Sequence, residues 1–203
     1  MILTDIGGPL LTLTLAAIAV MGSPGPATIS VTVVGASFGM RRSFPYAIGL
    51  IAGTSVVLVA VSLGVVALIL AIPHGAALLA GISTTYILFL AFKIATAPPL
   101  RGVEDSVDAP AFLGGFLLAI ANPKAYLAIG AVIAGTTVVT GDHCLDALVK
   151  VVLLAAMIVV IHLFWLVAGA SLSRLLRDPL SSRIISLCLA AALVTASLAL
   201  QWR

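Results

Sequence analysis

The sequence predicts an all-α, polytopic membrane protein: six transmembrane helices in two inverted three-helix repeats, with the first helix of each half broken. Three observations carry this. The chain has 203 residues, of which 62 % are hydrophobic and 8 % charged, whereas a soluble domain is about 25 % charged. Such a chain cannot cover itself with a polar surface, so lipid is its solvent. Six apolar stretches follow one another, each long enough for the roughly 20 residues a span requires. Two of the six carry helix breakers at matching places.

The stretches are 9–37, 43–71, 76–97, 111–138, 146–171 and 183–202. The breaks between them are short: "GMRRS", "IPHG", "PPLRGVEDSVDA", "VTGDHC" and "LSRLLRDPLSS". The start, "MILTDIGGPLLTLTLAAIAVMG", has no basic leader and runs into more apolar sequence, so it reads as a retained helix rather than a cleaved signal. No water-soluble domain fits anywhere, and 1–203 reads as one membrane domain. Its first repeat covers about 1–97, its cytoplasmic linker 98–110 and its second repeat about 111–203. The linker holds Glu104, Asp105 and Asp108, three of the seven acidic residues. Cys144 and Cys188 set no disulfide framework.

Basic residues in the loops set the orientation. Arg41, Arg42, Arg101, Arg174, Arg177 and Arg183 fall in the first, third and fifth loops, against Lys150 and Arg203 on the other face. This places those three loops in the cytoplasm and both termini outside a cytoplasmic (inner) membrane. A re-entrant first helix would leave the N-terminus inside. The net charge of +3 is too small to suggest nucleic acid.

Halves with an odd helix count lie upside down relative to one another, and interrupted helices at corresponding positions mark such repeats. The first helix is interrupted by "GSPGPA", 22–27, and the fourth by "ANPKA", 121–125. Both breaks fall near mid-membrane at a rise of about 1.5 Å per residue. Pro24, Pro26 and Pro123 each lack the N–H a helix uses. In hydrocarbon, backbone left open this way survives only where protein or a watery cavity covers it. Two half-helices in each half would then meet and offer their ends to a small charged substrate. The expected substrate-binding residues are Ser23, Pro24, Gly25, Pro26, Thr28, Asn122, Pro123 and Lys124. A plain proline kink is the alternative for either break alone; the matched pair favours a site.

Lys124 is too deep to reach water along its own stem and is expected to face an interior cavity, meeting a carboxylate or exchanging a proton. His162, deep in the fifth helix, is either a proton-coupling group or a histidine bonded to a neighbouring helix. Lys93 reads as a snorkelling anchor. Most hydroxyls, Thr54, Ser55 and Ser62 among them, are expected to bond their own helix or join helices. Gly49 and Gly53 form a small-xxx-small pair for close helix packing. "GDHCLD", 141–146, matches no closed zinc pattern.

Several segments resemble the LysE/RhtB family of amino-acid exporters over nearly the whole chain. "SPGPATISVTVVGASFGMRRSFPYAIGLIAGT" resembles its N-terminal signature, with Pro-Gly-Pro, Gly39, a basic loop, Gly49 and Gly53. "TYILFLAFKI" is similar to its third-helix stretch, with Tyr86 and Lys93 in place and Ala91 where Gly is usual. "FLGGFLLAIANPKAYLAIGA" resembles the Asn-Pro-Lys segment opening the second half, and "WLVAGASLSRLLRDPLSSRII" the end of the fifth helix and its basic loop. The last helix departs from the family in lacking its typical Gly. The resemblance implies a secondary transporter exporting small amino acids or their derivatives by proton antiport. No acidic residue lies deep in a predicted helix, which favours threonine- or homoserine-like substrates over basic ones. The alternative is a heavy-metal cation exporter of the same fold family, which would need buried thiolates or carboxylates. No nucleotide motif appears, so neither ATP nor another cofactor is expected, and no enzyme activity. The expected partners are the amino acid, lipid and protons; a homo-oligomer is compatible with the sequence.

Overall fold

A computed structural model describes residues 6–64 and 109–172 without a gap, together with 71–74, 81, 85, 88, 92, 184, 187, 188 and 191. Helix α1 is Gly7–Ala16 and continues through a π-helical turn, Ala17–Met21. Helix α2 is Pro26–Ser62, α3 Phe112–Ile120, α4 Pro123–Ala134 and α5 His143–Leu172. The predicted third and sixth helices, Lys93, the linker 98–110 and the basic loop after α5 lie mostly or wholly outside the described residues.

Two helices, Pro26–Ser62 and His143–Ser171, are long and apolar enough to cross a membrane, and the bent pair α3–α4 makes a third candidate span. Large apolar side chains such as Leu11, Leu15, Val59, Leu127, Val152 and Phe164 are exposed on the outside of this bundle. In a membrane that face meets lipid instead of water.

Helix α2 is not one straight rod. Gly39 has φ 72° and ψ 172°, a backbone region that is essentially glycine's alone. The chain turns back there. Ser43 Oγ donates to the Val34 carbonyl at 2.8 Å, and the Ser30 and Tyr46 hydroxyls bond each other. Sixteen residues of straight helix would hold that second pair about 24 Å apart. The limb 26–38 therefore completes the first predicted helix, and the limb 40–62 is the second.

Some boundaries differ from expectation. The second helix was expected to reach 71 but ends at Ser62, where Leu63 caps it and Gly64 takes φ 75°. The fourth ends at Ala134 instead of 138, and the fifth begins three residues early, at His143. That early start puts Asp146 and Lys150 in the first two turns of α5. The two form a 2.7 Å ion pair, nearly buried. Asp146 also accepts from the Val138 and Val139 amides at 2.6 and 2.9 Å, and Lys150 donates to the Ile133 carbonyl at 3.1 Å. Lys150 is thus no exposed loop charge, as the orientation argument had taken it to be. Nor does "GDHCLD" gather ligands. Asp142 accepts from the Leu145 amide, Asp146 turns to Lys150, and no metal-ligand cluster occurs among the described residues.

The α2 limbs pack by close backbone approach. A Cβ on Gly53 would lie 2.6 Å from the Phe116 carbonyl oxygen, and one on Gly49 would overlap the Phe112 carbonyl. The small-xxx-small pair therefore seats α3, as expected. Gly35 in the other limb does the same against Leu166 of α5. Two apolar clusters result. One joins α1, the second limb of α2, α4 and α5 through Leu13, Val57, Ile129, Leu154 and Ile158. The other joins both α2 limbs to α3 and α5 through Val31, Leu50, Leu118 and Leu166.

Candidate functional site

Both expected breaks are present. At the first, the π-helical turn stops at Gly22 and α2 restarts at Pro26. Proline suits that first helical position, where no N–H is needed. Gly25 is extended (φ −170°, ψ −178°). The Thr28 hydroxyl accepts the Gly25 N–H at 2.8 Å and donates to the Gly25 carbonyl at 3.1 Å. At the second break, α3 and α4 meet at a bend of 59°. Asn122 is the N-cap of α4; its Oδ1 accepts the Lys124 amide at 3.2 Å, and Pro123 takes the next position.

Each break leaves carbonyls without helical partners, and side chains take most of them up. At the second break, Ala119 O accepts from the Asn122 amide at 3.2 Å and Ile120 O from the Tyr126 hydroxyl at 2.9 Å. At the first, Val20 O accepts from Ser23 Oγ at 2.8 Å, and Gly22 O from Trp165 Nε1 at 3.1 Å. The Ser23 and Pro24 carbonyls both accept from the Lys124 ammonium, the latter at 3.1 Å, and Ser23 Oγ accepts from it at 2.8 Å. An ammonium has three N–H groups, and all three go to the opposite break. A cation at the carbonyl end of a half-helix also complements that helix's dipole. Lys124 therefore meets carbonyls and a hydroxyl of the opposite break. The two breaks, 101 residues apart at Ser23 and Lys124, are one cross-linked unit.

Beside this unit lies a half-open cavity of about 40 Å³. That is room for about three waters. Gly25, Thr28, Asn122 and Lys124 line it on one side, and Ala128, Ile158 and His162 are among its other walls. Pro24, Pro26 and Pro123 shape the breaks and, like Ser23, are not among the described lining residues; Ser23 is tied to the cavity wall through its bond to Lys124. No carboxylate is among the described lining residues.

His162 is 4 % exposed. Its Nδ1 pairs with the Ile158 carbonyl at 2.8 Å, so its bond goes to its own helix and not to a neighbouring one. A carbonyl can only accept, so Nδ1 carries the proton and Nε2 is an acceptor in the neutral ring. Nε2 has no partner among the described residues, and neither does Thr54 Oγ1, on a residue 6 % exposed. Both residues line the cavity. A buried polar atom left unpaired costs about 1–3 kcal/mol. Ser55 and Ser62, by contrast, bond back to Ile51 and Leu58 of their own helix at 2.8 Å, as expected of most hydroxyls. Nothing in the sequence separated Thr54 from them. Trp165 was missed as well, since its role depends on a carbonyl 143 residues away.

Apolar helices interrupted at two breaks that meet, with their open backbone closed by polar side chains beside a cavity, fit a multi-pass membrane transport protein. Residues 18–201 match the LysE type translocator family, and the chain belongs to it. No curated protein and no solved structure matches the chain well enough to narrow this.

Proposed function

We propose that this translocator is a secondary exporter of small amino acids or their derivatives across the cytoplasmic membrane, in exchange for protons. Its substrates are threonine- or homoserine-like, not basic. Two inverted repeats, about 1–97 and 111–203, would rock about the joined breaks, with Ser23, Gly25, Thr28, Asn122 and Lys124 forming the site and Pro24, Pro26 and Pro123 shaping it. The observation that carries this reading is the Lys124 link between the two breaks, beside a cavity that Thr28, Asn122 and His162 also line. A second amine on the substrate would find no carboxylate among the described lining residues, which disfavours lysine- and arginine-like cargo. The cavity holds less than an amino acid, so loading requires the breaks to part, and alternating access needs the same motion. His162, whose ring titrates near neutral pH in water, is the proposed proton carrier.

The test is efflux from cells loaded with dipeptides, comparing the wild type with Lys124→Ala and Asn122→Ala. Wild-type cells should release threonine or homoserine faster than vector controls, and both variants should lose most of that rate. Release no faster than the control for every amino acid tried would refute export of amino acids.

A further inference from the structure

We infer that Thr54 Oγ1 and His162 Nε2 together form a subsite for the ammonium group of the transported molecule, and that a proton on Nε2 and the ammonium exclude one another. This rests on the export reading above. The observation behind it is independent of the breaks. Two buried polar atoms, one on the second limb of α2 and one on α5, lack partners among the described residues, and both residues face one cavity.

The chemistry of the pair selects its ligand. With Nδ1 committed to the Ile158 carbonyl, the neutral ring presents Nε2 as an acceptor. A threonine hydroxyl adds a second acceptor. The walls nearby are apolar: Ala125, Ala128, Ile129, Ile158 and Ile161. Two acceptors in an apolar surround suit a group rich in N–H donors. Lys124 and the first turn of α2, through Ala27 and Thr28, also line the cavity and are positive in charge or dipole, which suits a carboxylate. A zwitterion would lie between them, with its carboxylate toward Lys124 and its ammonium toward α5.

Exclusivity follows from Nε2 itself. A proton taken from water turns this nitrogen from acceptor into donor and places a positive charge where the ammonium would sit. Each departure of the amine frees the nitrogen for one proton, and each loss of that proton readies it for another amine. Residues from α1, both limbs of α2, α4 and α5 line the cavity, and Lys124 is the other ionisable side chain among them. Its donors are taken up by the opposite break.

The experiment uses the full chain in detergent with isotope-labelled histidine, whose three signals are assigned with His162→Gln. The probes are threonine, butylammonium and glycine betaine, which keeps the charge and carboxylate but has no N–H. Threonine and butylammonium should move the His162 Nε2 resonance and shift its titration to lower pH, while betaine leaves both unchanged. Thr54→Val should weaken threonine binding about tenfold without lowering thermal stability, because its hydroxyl has no partner to lose. A protein that exports threonine while its His162 signal ignores threonine and butylammonium overturns the subsite and leaves export standing. An equal response to betaine, or unchanged threonine binding by Thr54→Val, also overturns it. A His162 that answers butylammonium in a protein exporting no amino acid supports the subsite and refutes the export reading instead.

Discussion

Replacing Gly25 with alanine tests the link between the breaks without touching Lys124. The backbone at Gly25 is extended and open to any residue, so no conformational strain enters. The added Cβ would lie 2.5 Å from Lys124 Cδ and 3.0 Å from Nζ. Ordinary contact begins near 3.5 Å, so the lysine stem must move by about 1 Å or more. The stem is flexible and the clash itself costs little. The loss comes from the ammonium, which leaves the Ser23 and Pro24 carbonyls and Ser23 Oγ. A hydrogen bond to a charged group contributes about 1.5–3 kcal/mol. The site is half-buried, so water replaces part of that and the net loss is ~2–4 kcal/mol. If the linked state lies on the transport cycle, efflux should fall at least about tenfold. The assay is initial efflux rate from preloaded proteoliposomes, with a thermal melt in detergent beside it. Gly25→Ala in a Lys124→Ala background should cost almost nothing more, since the shortened side chain leaves room. Full efflux from Gly25→Ala, or strictly additive losses in the double variant, would refute the link as a working part of the site.

Two other substitutions probe what positions the site. Gly53→Ala would bring a Cβ to 2.6 Å from the Phe116 carbonyl oxygen and 2.7 Å from Ala119 Cβ, so it should destabilise by about 1–3 kcal/mol. Gly114→Ala, whose Cβ meets only the Tyr46 ring at 3.6 Å, should melt like the wild type. Lys150→Met removes the ammonium from Asp146, which keeps its two backbone N–H bonds, and should cost about 1–3 kcal/mol in a reversible unfolding assay. Adding Asp146→Asn should recover part of it by removing the unpaired charge.

What was legible in the sequence had a local cause. Proline deletes an N–H wherever it stands, so "SPGP" and "NPK" disclosed both breaks. Gly49 and Gly53 disclosed a close helix contact because their spacing is that of one helix face. Gly39 was marked only through the resemblance; as one glycine among eighteen it had no signal of its own. The end of α2 at Ser62 was read through because the residues that follow, Leu63–Leu70, are as apolar as those before. The Asp146–Lys150 spacing of four was visible, but it was overlooked when the helix was started at Asp146. The link Lys124 makes to the first break was not legible. Its acceptors come from the opposite break, and composition along a chain does not say which distant carbonyl faces which amine. The same limit hid Thr54, whose importance lies in a partner it lacks.

On the proposed reading, the Lys124 link also bears on why the cargo would be a zwitterion. Parting the breaks uncovers an ammonium on one side and the Ser23 and Pro24 carbonyls on the other. In a low-dielectric setting neither is stable alone. An uncharged solute could satisfy neither well, and a bare cation would leave Lys124 unmatched. A molecule with a carboxylate and an ammonium replaces what each side loses, its carboxylate taking Lys124 and its N–H groups taking acceptors across the cavity. On the proposed reading the substrate is therefore what makes the open form affordable, and the empty breaks close on each other. A translocator built this way leaks little when unloaded, because the residue that binds cargo is also the residue that seals the gap.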